Sequence, residues 1–270
     1  MKPNEERTKI IIETLVYSVL VAIFVGVSAG YLGSLMVLEK MALVGDALSH
    51  VALPGIAIGI LFNFNQFLGA FAFLFGSAVI IWHLQRITKI SFEALVGVMF
   101  TLALAIGILI IPQTELLEAL FGDISQVGMI DAVIAIIISV VAILLTKLIY
   151  KKLVLAMISE DLAISKGINV ALTNLLYLFL VSLVVAIGIR IVGTLLVGFL
   201  VIVPAVASKN LGSGMRRYSI FSAIFGLLSA VAGVLLSAYL GLPPGPMVVF
   251  AGITIFAVTI VINWRLKLTT

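Results

Sequence analysis

Nine apolar runs, each long enough to cross a bilayer as a helix, follow one another along this chain at about 11–35, 41–62, 66–83, 92–111, 129–150, 170–189, 191–207, 218–240 and 247–264. A spanning helix needs about 20 apolar residues, and hydrocarbon admits only segments that satisfy their own backbone groups. The runs lack strand-type alternation, and a β-barrel would show segments of about ten residues with polar positions on alternate sides. The fold class is therefore all-α, a polytopic membrane protein. Hydrophobic residues fill 63% of the 270 positions and charged residues only 10%, which excludes a soluble enzyme of this size.

Lysine and arginine near span ends stay cytoplasmic, and they fix the orientation. Lys40, Arg86, Lys89, Lys147, Lys151, Lys152, Lys166, Lys209, Arg216, Arg217, Arg265 and Lys267 fall at every second junction, twelve of the sixteen basic residues. This arrangement puts the N-terminus outside, the C-terminus inside, and the longest connection, 112–128, outside with Glu115, Glu118 and Asp123. Lys2, Arg7 and Lys9 are the exception. The rival is an eight-span chain with an internal N-terminus. No repeat or composition shift divides the chain, so 1–270 reads as one transmembrane domain.

The leading MKPNEERTK lacks a small-residue cleavage pattern, so no cleavable signal peptide is expected. A net charge of +4 and a pI near 9.4 would suit nucleic acid, but the basic residues are scattered, and membrane topology explains them. With no cysteine, thiolate metal sites are excluded, and two histidines carry any imidazole chemistry. No G-x-x-x-x-G-K-[ST] sequence is present. Any active transport by this chain draws on an ion gradient or on another subunit.

The second run, MALVGDALSHVALPGIAIGILF, holds Asp46 and His50 inside an otherwise apolar helix. An aspartate at mid-bilayer costs about 2.5–3.5 kcal/mol on insertion scales, so it calls for a partner, a cavity or a function. Four residues apart, the two side chains share one helical face, with Ser49 adjacent, and both can point at one cation. Pro54 cannot donate to the carbonyl of His50, so with Gly45 and Gly55 it predicts a kink or short unwound stretch that frees carbonyl oxygen. Broken helices at mid-membrane are where transporters build ion sites. Two other readings compete: a pair that only holds the bundle together, and a proton relay.

Other polar residues read more simply. Glu13, Glu93 and Asp131 fall near span ends, His83 sits beside Arg86 at an interface, and Arg190 reads as a snorkelling side chain. The small-xxx-small pairs Gly26/Gly30 and Gly55/Gly59 read as helix-packing positions. ISEDLAISKGI predicts a short polar helix at the cytoplasmic surface, with Ser159 as N-cap, Glu160 and Asp161 at its positive end and Gly167 as its stop.

With those residues in view, VLEKMALVGDALSHVALPGIAIG resembles the signature of the membrane permeases of bacterial ABC importers for manganese, zinc and iron. EDLAISKGI resembles the family's coupling segment, here Glu160, Asp161, Ala163 and Gly167. IVGTLLVGFLVIVPAVAS resembles its glycine-then-proline span, here Gly193 and Pro204, and LPPGPMVV, with Pro243, Gly245 and Pro246, resembles the turn before its last helix. Glu39-Lys40 departs from the pattern, where two basic residues are expected. The resemblance implies a non-enzymatic permease in the cell inner (cytoplasmic) membrane. It also implies a second copy of the chain, two cytoplasmic ABC ATPases and an extracytoplasmic metal-binding protein. No cofactor is expected to stay bound, no nucleic acid is expected, and Asp46 and His50 bind the transported ion, manganese favoured over zinc or iron. The competing class is a gradient-driven carrier working without an ATPase.

Overall fold

The computed structural model describes residues 3–39, 41–88, 90–124, 127–194, 197–211 and 214–268. Of the residues used to orient the chain, Lys2, Lys40 and Lys89 lie outside these, as do the side chains of Arg7, Lys9 and Lys267. The elements are α1 (Pro3–Leu38), α2 (Ala42–Val51), α3 (Leu53–Leu61), α4 (Gln66–Ile87), α5 (Phe92–Ile110), α6 (Gln113–Phe121), α7 (Met129–Ile158), α8 (Glu160–Ser165), α9 (Val170–Val192), α10 (Val197–Lys209), α11 (Met215–Leu240) and α12 (Pro244–Leu268). Among the described residues there is no strand.

Seven helices are long and apolar enough to cross a membrane: α1 over Ile12–Leu38, α4, α5, α7, α9 over Val170–Arg190, α11, and α12 over Pro244–Arg265. Two further apolar stretches, Gly45–Leu61 and Val197–Lys209, are shorter. They coincide with the apolar runs at 41–62 and 191–207, where Pro54 and the Gly193 turn cut the helix. Large side chains are turned outward along the long helices, Leu109 being 85%, Ile130 75% and Leu148 74% exposed. A face of that kind needs lipid against it.

The interior is held by small residues and hydroxyls, as expected where lipid and core are equally apolar. α1 is the axis and packs on α11, α7, α10 and α9. At the α1–α11 crossing Gly26 faces Gly226 so closely that a Cβ on either would overlap the other's carbonyl. Ser34 and Ser219 are hydrogen-bonded at 2.9 Å, and Ser28 donates to Ser139 of α7 at 3.3 Å. Tyr177 of α9, fully buried, donates its hydroxyl to the carbonyl of Leu32 at 2.7 Å. Gly26 and Gly30 are thus packing positions inside the chain, and Gly55 packs in the same way on Gly69 of α4.

Two elements prepare the site. α6 forms within the 112–128 connection, and α8 caps the other end of the bundle between α7 and α9.

Candidate metal site in the broken second helix

Asp46 and His50 both lie on α2, one turn apart, as their spacing predicts. His50 is 7% exposed, its ring meets Phe100 of α5 edge-on at 5.1 Å, and its Nδ1 is buried with no hydrogen-bond partner. Asp46 is half-buried on the other flank, where its Cα and carboxylate rest on Gly198 of α10. The pair therefore lies between α5, which meets His50, and α10, which meets Asp46. A buried imidazole nitrogen without a partner forfeits a hydrogen bond and costs about 1–3 kcal/mol, a cost that a ligand reaching Nδ1 would remove.

Ser49 does not join them. Its hydroxyl donates to the carbonyl of Asp46 at 2.6 Å, so it is committed to the backbone of its own helix. The break is short: α2 ends at Val51, Ala52 keeps helical angles (φ −68°, ψ −24°), and α3 restarts at Leu53 with Pro54 in its first turn. Gly45 is buried beside Met36 and Val201, and Gly55 is spent on the approach to Gly69, so both glycines serve packing at the site. Among the described residues no group of three His, Cys, Asp or Glu side chains converges. The site supplies one carboxylate and one imidazole, and any further ligand must be backbone oxygen, water or a group from another chain.

Beyond α3, at the end of the bundle that carries α6, a cavity is lined by Glu115, Glu118, Asp123, Arg190, Ile56 and Phe67. Burial raises the Glu118 carboxyl above the ordinary carboxylate range, and a hydrogen bond with Asp123 adds to the effect. Arg190 is no lone snorkelling side chain. It forms a 2.8 Å ion pair with Asp131, which also accepts from the Gly128 N–H at 3.1 Å and so caps α7. His83, Glu13 and Glu93 are exposed, as their positions suggest.

At the other end α8 forms as its capping residues predict. The Ser159 hydroxyl accepts from the Leu162 N–H at 3.2 Å, and Glu160 and Asp161 occupy the first turn. Gly167, at φ +75°, closes the helix in a Schellman motif: its N–H donates to Ile164 at 2.9 Å and that of Ile168 to Ala163 at 3.0 Å. Glu160, Asp161 and Gly167 are exposed, whereas Ala163 is fully buried and seats the helix on the bundle. The apolar side chains presented outward are Leu162, 45% exposed, and Ile164, 56% exposed, which no capping or charge signal marks in the sequence.

A sequence model of the ABC 3 transport family matches residues 11–263. The chain belongs to that family. It is 30% identical over 243 residues to the manganese transport system membrane protein MntC of Listeria monocytogenes, covering 88% of this chain and 87% of that protein. It is 32% identical over 256 residues to the high-affinity zinc uptake system membrane protein ZnuB of Buchnera aphidicola, covering 92% and 97%. Among solved structures, PsaBC from Streptococcus pneumoniae in complex with Fab superposes with a TM-score of 0.84 at 28% identity, over 95% of each chain. As an ABC 3 family member with seven long apolar helices, the chain is a multi-pass membrane protein and a transport subunit.

Proposed function

We propose that this chain is the permease subunit of an ATP-driven importer that moves a divalent transition metal, manganese first and zinc or iron next, across the cytoplasmic membrane. The observation that carries this reading is the orphaned, buried Nδ1 of His50 one turn from Asp46 in a broken helix. The relatives named for manganese and zinc systems support it. Carboxylate and imidazole together suit Mn²⁺ and accept Zn²⁺ or Fe²⁺. Two side-chain ligands hold an ion loosely, which transport requires.

In this reading 1–270 is one permease domain of nine spans, Gly45–Leu61 and Val197–Lys209 completing the seven long helices. The α6 end faces outward and receives metal from an extracytoplasmic binding protein, while α8 faces the cytoplasm. Two permease copies pair with two ATPases, and α8, with Glu160, Asp161, Leu162, Ile164 and Gly167, transmits the closure of the ATPases on ATP. Membership of an ABC family favours this arrangement over a gradient-driven carrier.

The test is Mn²⁺ uptake into proteoliposomes holding the permease, its ATPase and its binding protein. Asp46→Ala and His50→Ala abolish ATP-dependent uptake if the reading is right. Uptake at the parent rate in both variants overturns the site, and uptake driven by a pH gradient without the ATPase overturns the importer.

A further inference from the structure

The carboxylate of Asp46 does not stand free in the bundle. Gly198, in the first turn of α10, presents its bare Cα to it: a Cβ there would lie 2.7 Å from Oδ1, 3.1 Å from the Asp46 Cβ and closer still to its Cα. The two residues are about 150 positions apart in sequence, and the absence of a side chain at 198 sets how near α10 can come to the carboxylate.

α10 cannot retreat to make room. Before its first turn, Thr194 donates its N–H and its hydroxyl to the carbonyl of Ala119, at 2.9 and 3.1 Å. Gly193, at φ +80°, lies flush on the Leu120 carbonyl of α6. One turn after Gly198, the Val201 carbonyl presses on Gly33 of α1, and on the far side the Val197 side chain abuts Gly188 of α9. α2, by contrast, has ten residues and meets α3 at a junction where Pro54 offers no N–H. A group added at 198 therefore displaces Asp46, whose carboxylate and backbone it meets directly.

We propose that Gly198 is the positioning residue of the metal site: α10, fixed on α6, α1 and α9, lies against Asp46 and sets the direction in which its carboxylate meets the divalent cation that His50 also binds. This inference rests on the reading of Asp46 and His50 as metal ligands. Outer groups that orient a ligand typically govern metal affinity by about 10–100-fold, and Gly198 does so by contact rather than by a hydrogen bond.

The experiment uses the assembled permease–ATPase complex in nanodiscs, titrated with Mn²⁺ alone, with bound ion read from the loss of the free Mn²⁺ EPR signal. Gly198→Ala is expected to weaken binding by about 10–100-fold while the complex stays assembled. Gly226→Ala adds an equally close methyl at the α1–α11 crossing, away from Asp46; it is expected to lower the thermal midpoint and keep the parent's Mn²⁺ affinity. Should Gly198→Ala not assemble, Gly188→Ala presses on Val197 from behind and is expected to weaken binding in the same direction by a smaller factor. Parent affinity in Gly198→Ala, or in Gly188→Ala where that variant is used, overturns the positioning role if Asp46→Ala and His50→Ala have lost binding. An affinity loss in Gly226→Ala equal to that of Gly198→Ala overturns it too. If Asp46→Ala and His50→Ala themselves bind like the parent, the site reading falls, and this inference falls with it.

Discussion

Thr194 places both of its donors on one acceptor, the carbonyl of Ala119, and so ties the turn between α9 and α10 to α6. The Asp123 N–H reinforces this tie by donating to the carbonyl of Arg190 at 3.3 Å. α6 is thus fastened to the bundle by its last turn, although its sequence is the most polar between α5 and α7. Thr194→Val keeps the shape and removes the hydroxyl bond, at a cost of about 1 kcal/mol. The expected result is faster hydrogen exchange confined to α6, Gly193 and Thr194, with α1 and α11 unchanged. Uniform acceleration across the bundle would show instead that Thr194 supports the whole fold.

His50 separates stability from function. Because its Nδ1 has no partner, replacing the ring by an apolar side chain removes a buried polar group that nothing satisfies. His50→Leu is expected to keep the thermal midpoint within the equivalent of about 1 kcal/mol of the parent and to lose Mn²⁺ uptake entirely. A variant that loses stability and uptake together would show that the imidazole holds the bundle rather than an ion.

The sequence makes Asp46 and His50 legible because ionisable groups in an apolar run stand out from their surroundings. Ser159 and Gly167 are legible for a different reason: capping is decided by residues within one turn of each other, so α8 appears with its ends in place. What stays hidden depends on approach between distant segments. Gly198 looks like any glycine in an apolar helix until Asp46 is laid upon it, and Arg190 looks solitary until α7 brings Asp131 within 2.8 Å. Ser49 stands beside the pair in sequence, yet its hydroxyl bonds the backbone of its own helix. α6 escapes hydropathy because QTELLEALF is too short and too polar to announce itself as a span.

Glu39, which follows the last turn of α1, gives the protein a pH-dependent stability. Burial pushes its carboxyl from the ordinary 4.5 up to about 7. The folded state binds this proton more tightly than the unfolded chain, so the contribution is full below about 4.5 and is lost as pH rises to about 7. Within that window stability falls by at most about 1.4 kcal/mol per pH unit. The thermal midpoint of the detergent-purified parent is expected to fall relative to Glu39→Gln across this range, and to run parallel to it above. Parallel curves throughout would count against a buried, protonated Glu39.

Glu118 makes the cavity beside α6 sensitive to acid. Its raised carboxyl takes up a proton at a higher pH than an ordinary glutamate, chiefly through burial and then through Asp123. With the α6 end facing outward as proposed above, a fall in external pH through that raised value removes one negative charge from the cavity, which then attracts divalent cations less. Mn²⁺ uptake at low ion concentration is expected to decline on mild acidification in the parent. Glu118→Gln should start from a lower rate and respond less to the same change. An unaltered pH profile in the variant would assign the acid sensitivity to another group.

The last prediction concerns α8, where charge and apolar surface point to different work. Glu160 and Asp161 sit at the positive end of the helix and accept its dipole, so their removal weakens α8 itself. Leu162 and Ile164 make no such contribution, yet both are held outward by the anchor at buried Ala163. Exposed apolar side chains on a fixed, short helix are suited to a socket in a soluble partner. Leu162→Ser with Ile164→Ser is therefore expected to leave the thermal midpoint of the permease unchanged and to weaken its co-purification with the ATPase. Gly167→Ala acts differently, forcing a side chain into φ +75° and unwinding the stop. It should lower the protection of α8 amides by about 1 kcal/mol and reduce ATP-driven uptake while the ATPase stays bound. If instead the double serine variant binds the ATPase as tightly as the parent and Gly167→Ala releases it, the contact lies in the loop after α8 rather than in the helix.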